Sequence, residues 1–142
     1  MVIHTASEGV TLARKLENES AKFYETAAQQ FSQDADSFLS FAKENKKNVL
    51  QIERAYYGVI TDAIEGCFAF NIEPDNYILN TTINQGVSHN DVVKQAIKLE
   101  EIIIKFYAEA VEQSGALMAD VPRAFSMIAK KREGRLSKLK SL

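Results

Sequence analysis

The sequence predicts an all-α fold: one four-helix bundle, residues 1–142, made of two repeated helical hairpins joined by a long crossover. Three observations carry this. The 142 residues include two prolines and six glycines, and stretches of more than twenty residues contain neither, which favours long helices over a sheet. Apolar residues recur at three-and-four spacing. The segment Val10 to Gln30 also repeats as Val93 to Gln113, with ten identities in twenty-one positions.

The first helix is expected from about Ser7 to Phe31, with Val10, Ala13, Leu16, Ser20, Phe23, Tyr24 and Ala27 on one stripe. Thr5-Ala6-Ser7-Glu8 before it and Ser88-His89-Asn90-Asp91 before the third helix each set a hydroxyl three residues ahead of an acid. That is a capping box or its close relative. A polar turn, Gln33 to Asp36, leads into a second helix reaching about Ala63. The third helix should run from about Asn90 to Gln113 and stop at Ser114-Gly115. Asp120 and Pro122 start the fourth, which should reach about Lys138, weakened locally by Gly134. The second helix of each pair repeats more weakly: Phe38, Ala42 and Lys43 match Phe125, Ala129 and Lys130. The segment 65–87 holds Cys67, Phe68, Phe70, Tyr77, Ile78 and Leu79, too apolar for a free linker. Long enough to span the bundle, it should pack along it and leave helices two and three parallel.

Composition narrows the function classes. Apolar residues make up 46% and charged residues 25%, with a net charge of −2; this is an ordinary soluble balance with no electrostatic case for nucleic acid. No apolar run approaches a membrane span and the N-terminus lacks a signal architecture, so a cytoplasmic protein is expected. The single cysteine, Cys67, reads as a buried inert thiol. No nucleophile–base pair or phosphate loop is visible.

Two glutamates stand out. Glu17 and Glu100 precede Tyr24 and Tyr107 by seven residues, two helical turns, so each shares its tyrosine's core-facing stripe. A charge there is costly unless compensated. Ala13-x-x-Leu16-Glu17-x5-Phe23-Tyr24 and Ala96-x-x-Leu99-Glu100-x5-Phe106-Tyr107, with Phe38-x-x-x-Ala42 and Phe125-x-x-x-Ala129, resemble the rubrerythrin-like branch of the ferritin-like superfamily over nearly the whole chain. The resemblance implies two iron ions that react with oxygen or peroxide. A Glu from each of helices one and three and a Glu-x-x-His from each of helices two and four would hold them. Here those last motifs become Asn45-Lys46-Lys47-Asn48 and Arg132-Glu133-Gly134-Arg135. His4 and His89 lie outside the helix positions and no local register restores the motif.

The six equivalent positions, Glu17, Asn45, Asn48, Glu100, Arg132 and Arg135, sum to zero charge without a metal. The expectation is therefore a degenerate site with no catalytic residue and no cofactor, whose arginines pair with the glutamates. The alternatives are an iron site built from a rearranged carboxylate set with Glu17 and Glu100 first, helped by Glu44, Glu101 or Glu133, or glutamates and arginines on a solvated face. Tyr24 and Tyr107 read as packed side chains that hydrogen-bond the glutamates. A homo-oligomer, with a dimer favoured, is expected, and a small organic anion near Arg132 and Arg135 is a further possibility.

Overall fold

The structure, a computed structural model, describes residues 2–59, 68–114 and 120–142. It is an all-α four-helix bundle: α1 is Ala6–Gln30, α2 Ala35–Val59, α3 His89–Ser114 and α4 Asp120–Lys140. At 1.5 Å per residue the longer helices run about 38 Å. The expected ends of helices one, three and four hold to within two residues. The last turn expected for helix two, residues 60–63, and the Gly115 stop and Cys67 lie outside the described residues.

Thr5 caps α1 through the full reciprocal box: its hydroxyl accepts from the Glu8 N–H, while Glu8 Oε1 accepts from the Thr5 N–H. At α3 the Asp91 N–H reaches Ser88 Oγ at 3.1 Å. These bonds satisfy amides that a helix start otherwise leaves unpaired. The α1–α2 turn closes with Asp34 at φ 63°, in the left-handed region that aspartate tolerates better than most residues.

α1 packs chiefly on α2 and α3 on α4; α2–α4 and α1–α3 contacts join the two hairpins. Tyr24 opposite Glu100 and Tyr107 opposite Glu17 make α1 and α3 antiparallel. Helices α2 and α3 are therefore parallel, the arrangement that the crossover length allows. Phe23, Phe38, Ile52, Ile103, Phe106 and Phe125 are among the fully buried apolar side chains between them.

The crossover adds a feature that helical periodicity did not disclose. Strand β2 (Phe68–Ile72) pairs antiparallel with β1 (Ile3–Thr5), setting Ile3 opposite Ile72 and Thr5 opposite Phe68 with an irregularity between. The chain ahead of α1 thus gives its backbone bonds to the crossover. A short 3₁₀ turn, Pro74–Tyr77, follows. Phe70, Tyr77 and Leu79 are buried as expected, Ile72 is buried as well, and Ile78 is exposed. Tyr77 caps this packing with a short hydrogen bond to Glu109. Phe70 presses against α1 at Gly9, where an added Cβ would come within 2.5 Å of the ring. Only a residue without a side chain admits that approach.

Candidate functional site

Half-way along the bundle the apolar core gives way to a polar layer. Glu17, Ser20, Asn45, Asn48, Glu100 and Arg132 are fully buried and Arg135 nearly so. Each faces inward because its helix keeps it on the apolar stripe: Glu17 and Glu100 lie one residue after the buried Leu16 and Leu99. Asn45 and Asn48 are one i, i+3 pair on α2, and Arg132 and Arg135 another on α4, the spacing that projects two side chains from one face.

Arg132 is the centre. Its Nη1 donates to both Glu100 oxygens, at 2.8 and 2.6 Å. On the other side Nε donates to Glu17 Oε2 at 3.1 Å, and Nη2 lies 2.9 Å from the same oxygen. Nη2 also donates to Asn45 Oδ1 at 3.1 Å. One planar cation thus bridges two carboxylates from different hairpins, using the fork geometry that lysine lacks.

The rest of the layer completes the carboxylate bonds. Tyr24 donates to Glu100 Oε1 at 2.7 Å and Tyr107 to Glu17 Oε2 at 2.6 Å. Each tyrosine serves the glutamate of the other repeat, not the one on its own helix. Asn48 Nδ2 donates to Glu17 Oε1 at 3.0 Å, and Asn45 Nδ2 to Ser20 Oγ at 2.8 Å. Arg135 reaches Asn45 Oδ1 at 2.7 Å, Glu100 Oε1 at 3.1 Å and the Phe41 carbonyl at 3.3 Å. Its Nη2 also donates to Glu44 Oε1 at 2.6 Å, with Glu44 on the rim. The same guanidinium lies over the Phe41 ring at 4.8 Å. Its Nε has no hydrogen-bond partner among the described residues.

Two charges taken out of water cost several kcal/mol each, and only good geometry with further hydrogen bonds recovers that. Burial would push the Glu100 carboxyl upward, but the guanidiniums of Arg132 and Arg135 outweigh it, and the Tyr24 and Arg132 hydrogen bonds help hold it below the usual carboxylate range. Burial likewise works against the Arg132 charge, and Glu100 and Glu17 reverse it, so its pKa lies above its ordinary value. Tyr24 and Tyr107 are pushed well above the ordinary phenol value by burial first and by the adjacent glutamates second. Glu100 and Arg132 are therefore held charged, and Tyr24 and Tyr107 neutral, across neutral pH.

All eight residues singled out in the sequence meet in this network. The solvated-face alternative for Glu17, Glu100, Arg132 and Arg135 is corrected by their burial. Of the carboxylates considered for a rearranged metal set, Glu44 joins only through Arg135, while Glu101 and Glu133 are exposed. His89 stands at the bundle end, with Nε2 2.9 Å from Asp34 Oδ2 and its ring against Phe31. Among the described residues no three His, Cys, Asp or Glu side chains form a group able to hold a metal ion. The donors at the six positions, two carboxylates, two amides and two guanidiniums, do not fit a pair of iron ions. A hard cation needs oxygen or imidazole donors, and fixed positive charge beside it would repel it.

Two participants were not anticipated as members. Ser20 was read as part of the apolar stripe, and its position three residues after Glu17 was the available signal. Lys131 donates to Asn48 Oδ1 at 3.5 Å and to Gln51 Oε1 at 3.1 Å, closing the solvent side. Among the described residues no helix is long and apolar enough to cross a membrane. Comparison of the chain with protein-family models, curated proteins and solved structures found no match in any of the three.

Proposed function

We propose that this chain is a ferritin-like bundle of the rubrerythrin-like kind that has lost di-iron binding and catalysis and serves as a binding or structural, oligomer-forming protein. One observation carries the reading: the Arg132 guanidinium bridges Glu17 and Glu100, the two carboxylates that the resemblance would give to iron. Arg132 takes over the metals' electrostatic task, and its charge cannot be lost by oxidation or chelation. Asn45 and Asn48 add amide donors and acceptors where charged ligands would unbalance the layer. The product is a polar core that fixes how two hairpins dock, a role for buried ionic groups better attested than net stabilisation.

The competing reading is a di-iron oxidase, peroxidase or iron-handling protein with a rearranged carboxylate set. It requires Arg132 to leave both glutamates, and the exposure of Glu101 and Glu133 offers nothing to replace it. An organic anion at the arginines would have to displace Glu44 from Arg135. The test is to add ferrous iron to the purified chain without oxygen, remove unbound metal, and measure retained iron and the near-ultraviolet spectrum after oxidation. Retained iron well below one ion per chain, with no oxo-bridge band, is expected. An iron pair per chain with that band would sink the proposal.

A further inference from the structure

The core accounts for one face of α2; its outer face carries a second pattern. Leu39, Lys43, Lys46, Leu50, Glu53 and Tyr57 follow one another at spacings of four, three, four, three and four. That is the seam spacing of a coiled coil. The six lie on one line down the helix, about 110° round from the buried Phe38, Asn45, Ile52 and Tyr56, on the flank beside α1 where Lys46 and Glu53 meet Glu25 and Arg14. Leu39, Leu50 and Tyr57 are 50%, 51% and 61% exposed, a cost repeated three times along about 27 Å of helix. The described part of the crossover packs chiefly on α1 and α3, away from this seam.

The order of residues along the seam says what fits it. Laid antiparallel on a second copy about a two-fold axis level with residue 48, Leu39 faces Tyr57 of the other copy, Lys43 faces Glu53, and Lys46 lays its methylene stem beside Leu50. Every contact occurs twice, as an isologous interface requires. Laid parallel, Lys43, Lys46 and Glu53 would each meet their own kind. The present partners of two charged members are on α1: the exposed Lys46 lies 3.6 Å from Glu25, and the half-buried Glu53 3.5 Å from Arg14. Both can turn to a neighbour.

We infer that the outer seam of α2 is an antiparallel self-association surface, with Leu39–Tyr57 and Lys43–Glu53 as its reciprocal pairs. This rests on the homo-oligomer reading above and does not depend on the metal-free core. A single helix face buries less than a standard interface, so the dimer is weak, with Kd on the order of micromolar.

The test is sedimentation equilibrium of the whole chain across the micromolar range at low salt, with circular dichroism to confirm folding. Lys43→Glu and Glu53→Lys alone each set like charges opposite and weaken the dimer by about tenfold or more. The double variant, Lys43→Glu with Glu53→Lys, restores it, which only the antiparallel register predicts. Leu39→Glu with Tyr57→Glu gives a folded monomer. A dimer indifferent to these changes would overturn the seam and leave the homo-oligomer reading standing; a chain monomeric throughout removes both. Neither result touches the iron-binding test.

Discussion

The two hairpins share a plan and differ in charge. Both contribute a glutamate and a tyrosine, related by the 83-residue offset, and the tyrosines cross over so that each serves the other hairpin's glutamate. The aromatic shell follows the same symmetry: Tyr24 packs on Phe38 and Tyr107 on Phe125. At the next position the symmetry ends. α2 offers neutral Asn45 and Asn48 where α4 offers Arg132 and Arg135. The buried layer of the first hairpin is thus net −1 and that of the second net +1. The first hairpin cannot balance its own buried charge, because Glu17 depends on Arg132 and Tyr107, both from the other half. The difference shows how two repeated hairpins become complementary: shared residues set the register and the unshared ones supply opposite charge.

Removing the unshared cation should have the largest effect. Arg132→Met leaves the buried Glu17 without a counter-charge and Glu100 with Arg135 alone, and should cost about 3–5 kcal/mol, read from the midpoint of urea unfolding. Adding Glu17→Gln and Glu100→Gln should recover most of that loss. No recovery would mean that packing, rather than charge, sets the cost.

Acid should act on the same balance from the other side. The Glu100 carboxyl is depressed in the folded protein, chiefly because Arg132 and Arg135 overcome the effect of burial. A depressed carboxyl stabilises the fold above its unfolded value and loses that contribution as pH falls through the folded one. Stability should therefore decline below about pH 4.5, and Glu100→Gln should flatten the decline. At the alkaline end the sign reverses: Tyr24 and Tyr107 are raised, so their contribution persists below the ordinary phenol value and is lost above it.

Tyr24→Phe and Tyr107→Phe probe the shared residues. Each removes one hydrogen bond to a buried carboxylate and should cost roughly 1.5–3 kcal/mol. The two values should agree closely if the two-fold relation governs this layer, and a large gap in thermal unfolding would break the comparison.

A smaller effect distinguishes the hairpins at the bundle end. Gly9 admits the Phe70 ring, whereas the equivalent position of the second repeat is the buried Val92. Gly9→Ala should cost about 1–3 kcal/mol by overpacking. Val92→Ala probes a different loss, a cavity. The least effect is expected at the rim, where Glu44→Gln removes a partly exposed partner of Arg135 and should change stability by less than about 1 kcal/mol. A larger loss would place Glu44 inside the core's charge balance.

Helix bounds, the hairpin repeat and the inward register of Glu17, Glu100, Asn45, Asn48, Arg132 and Arg135 were legible in the sequence. Periodicity reports which face of a helix a residue occupies, and the repeat aligned these positions on the core stripe, leaving a solvated face as the alternative that burial removed. The Ile3–Thr5 strand was not legible, because three residues carry no detectable period and their partner lies some seventy positions away. Ile78, counted among the apolar residues of the packing crossover, is exposed, because composition cannot tell which side of an irregular segment turns inward.

What the sequence by itself determined, then, is a four-helix bundle with a polar layer whose formal charges cancel. Only the tertiary structure decided that Arg132 bridges both glutamates while Arg135 reaches outward to Glu44, and that the tyrosines exchange partners. The physical reason is that spacing along one helix fixes a direction, whereas a bond between helices depends on their relative height and separation.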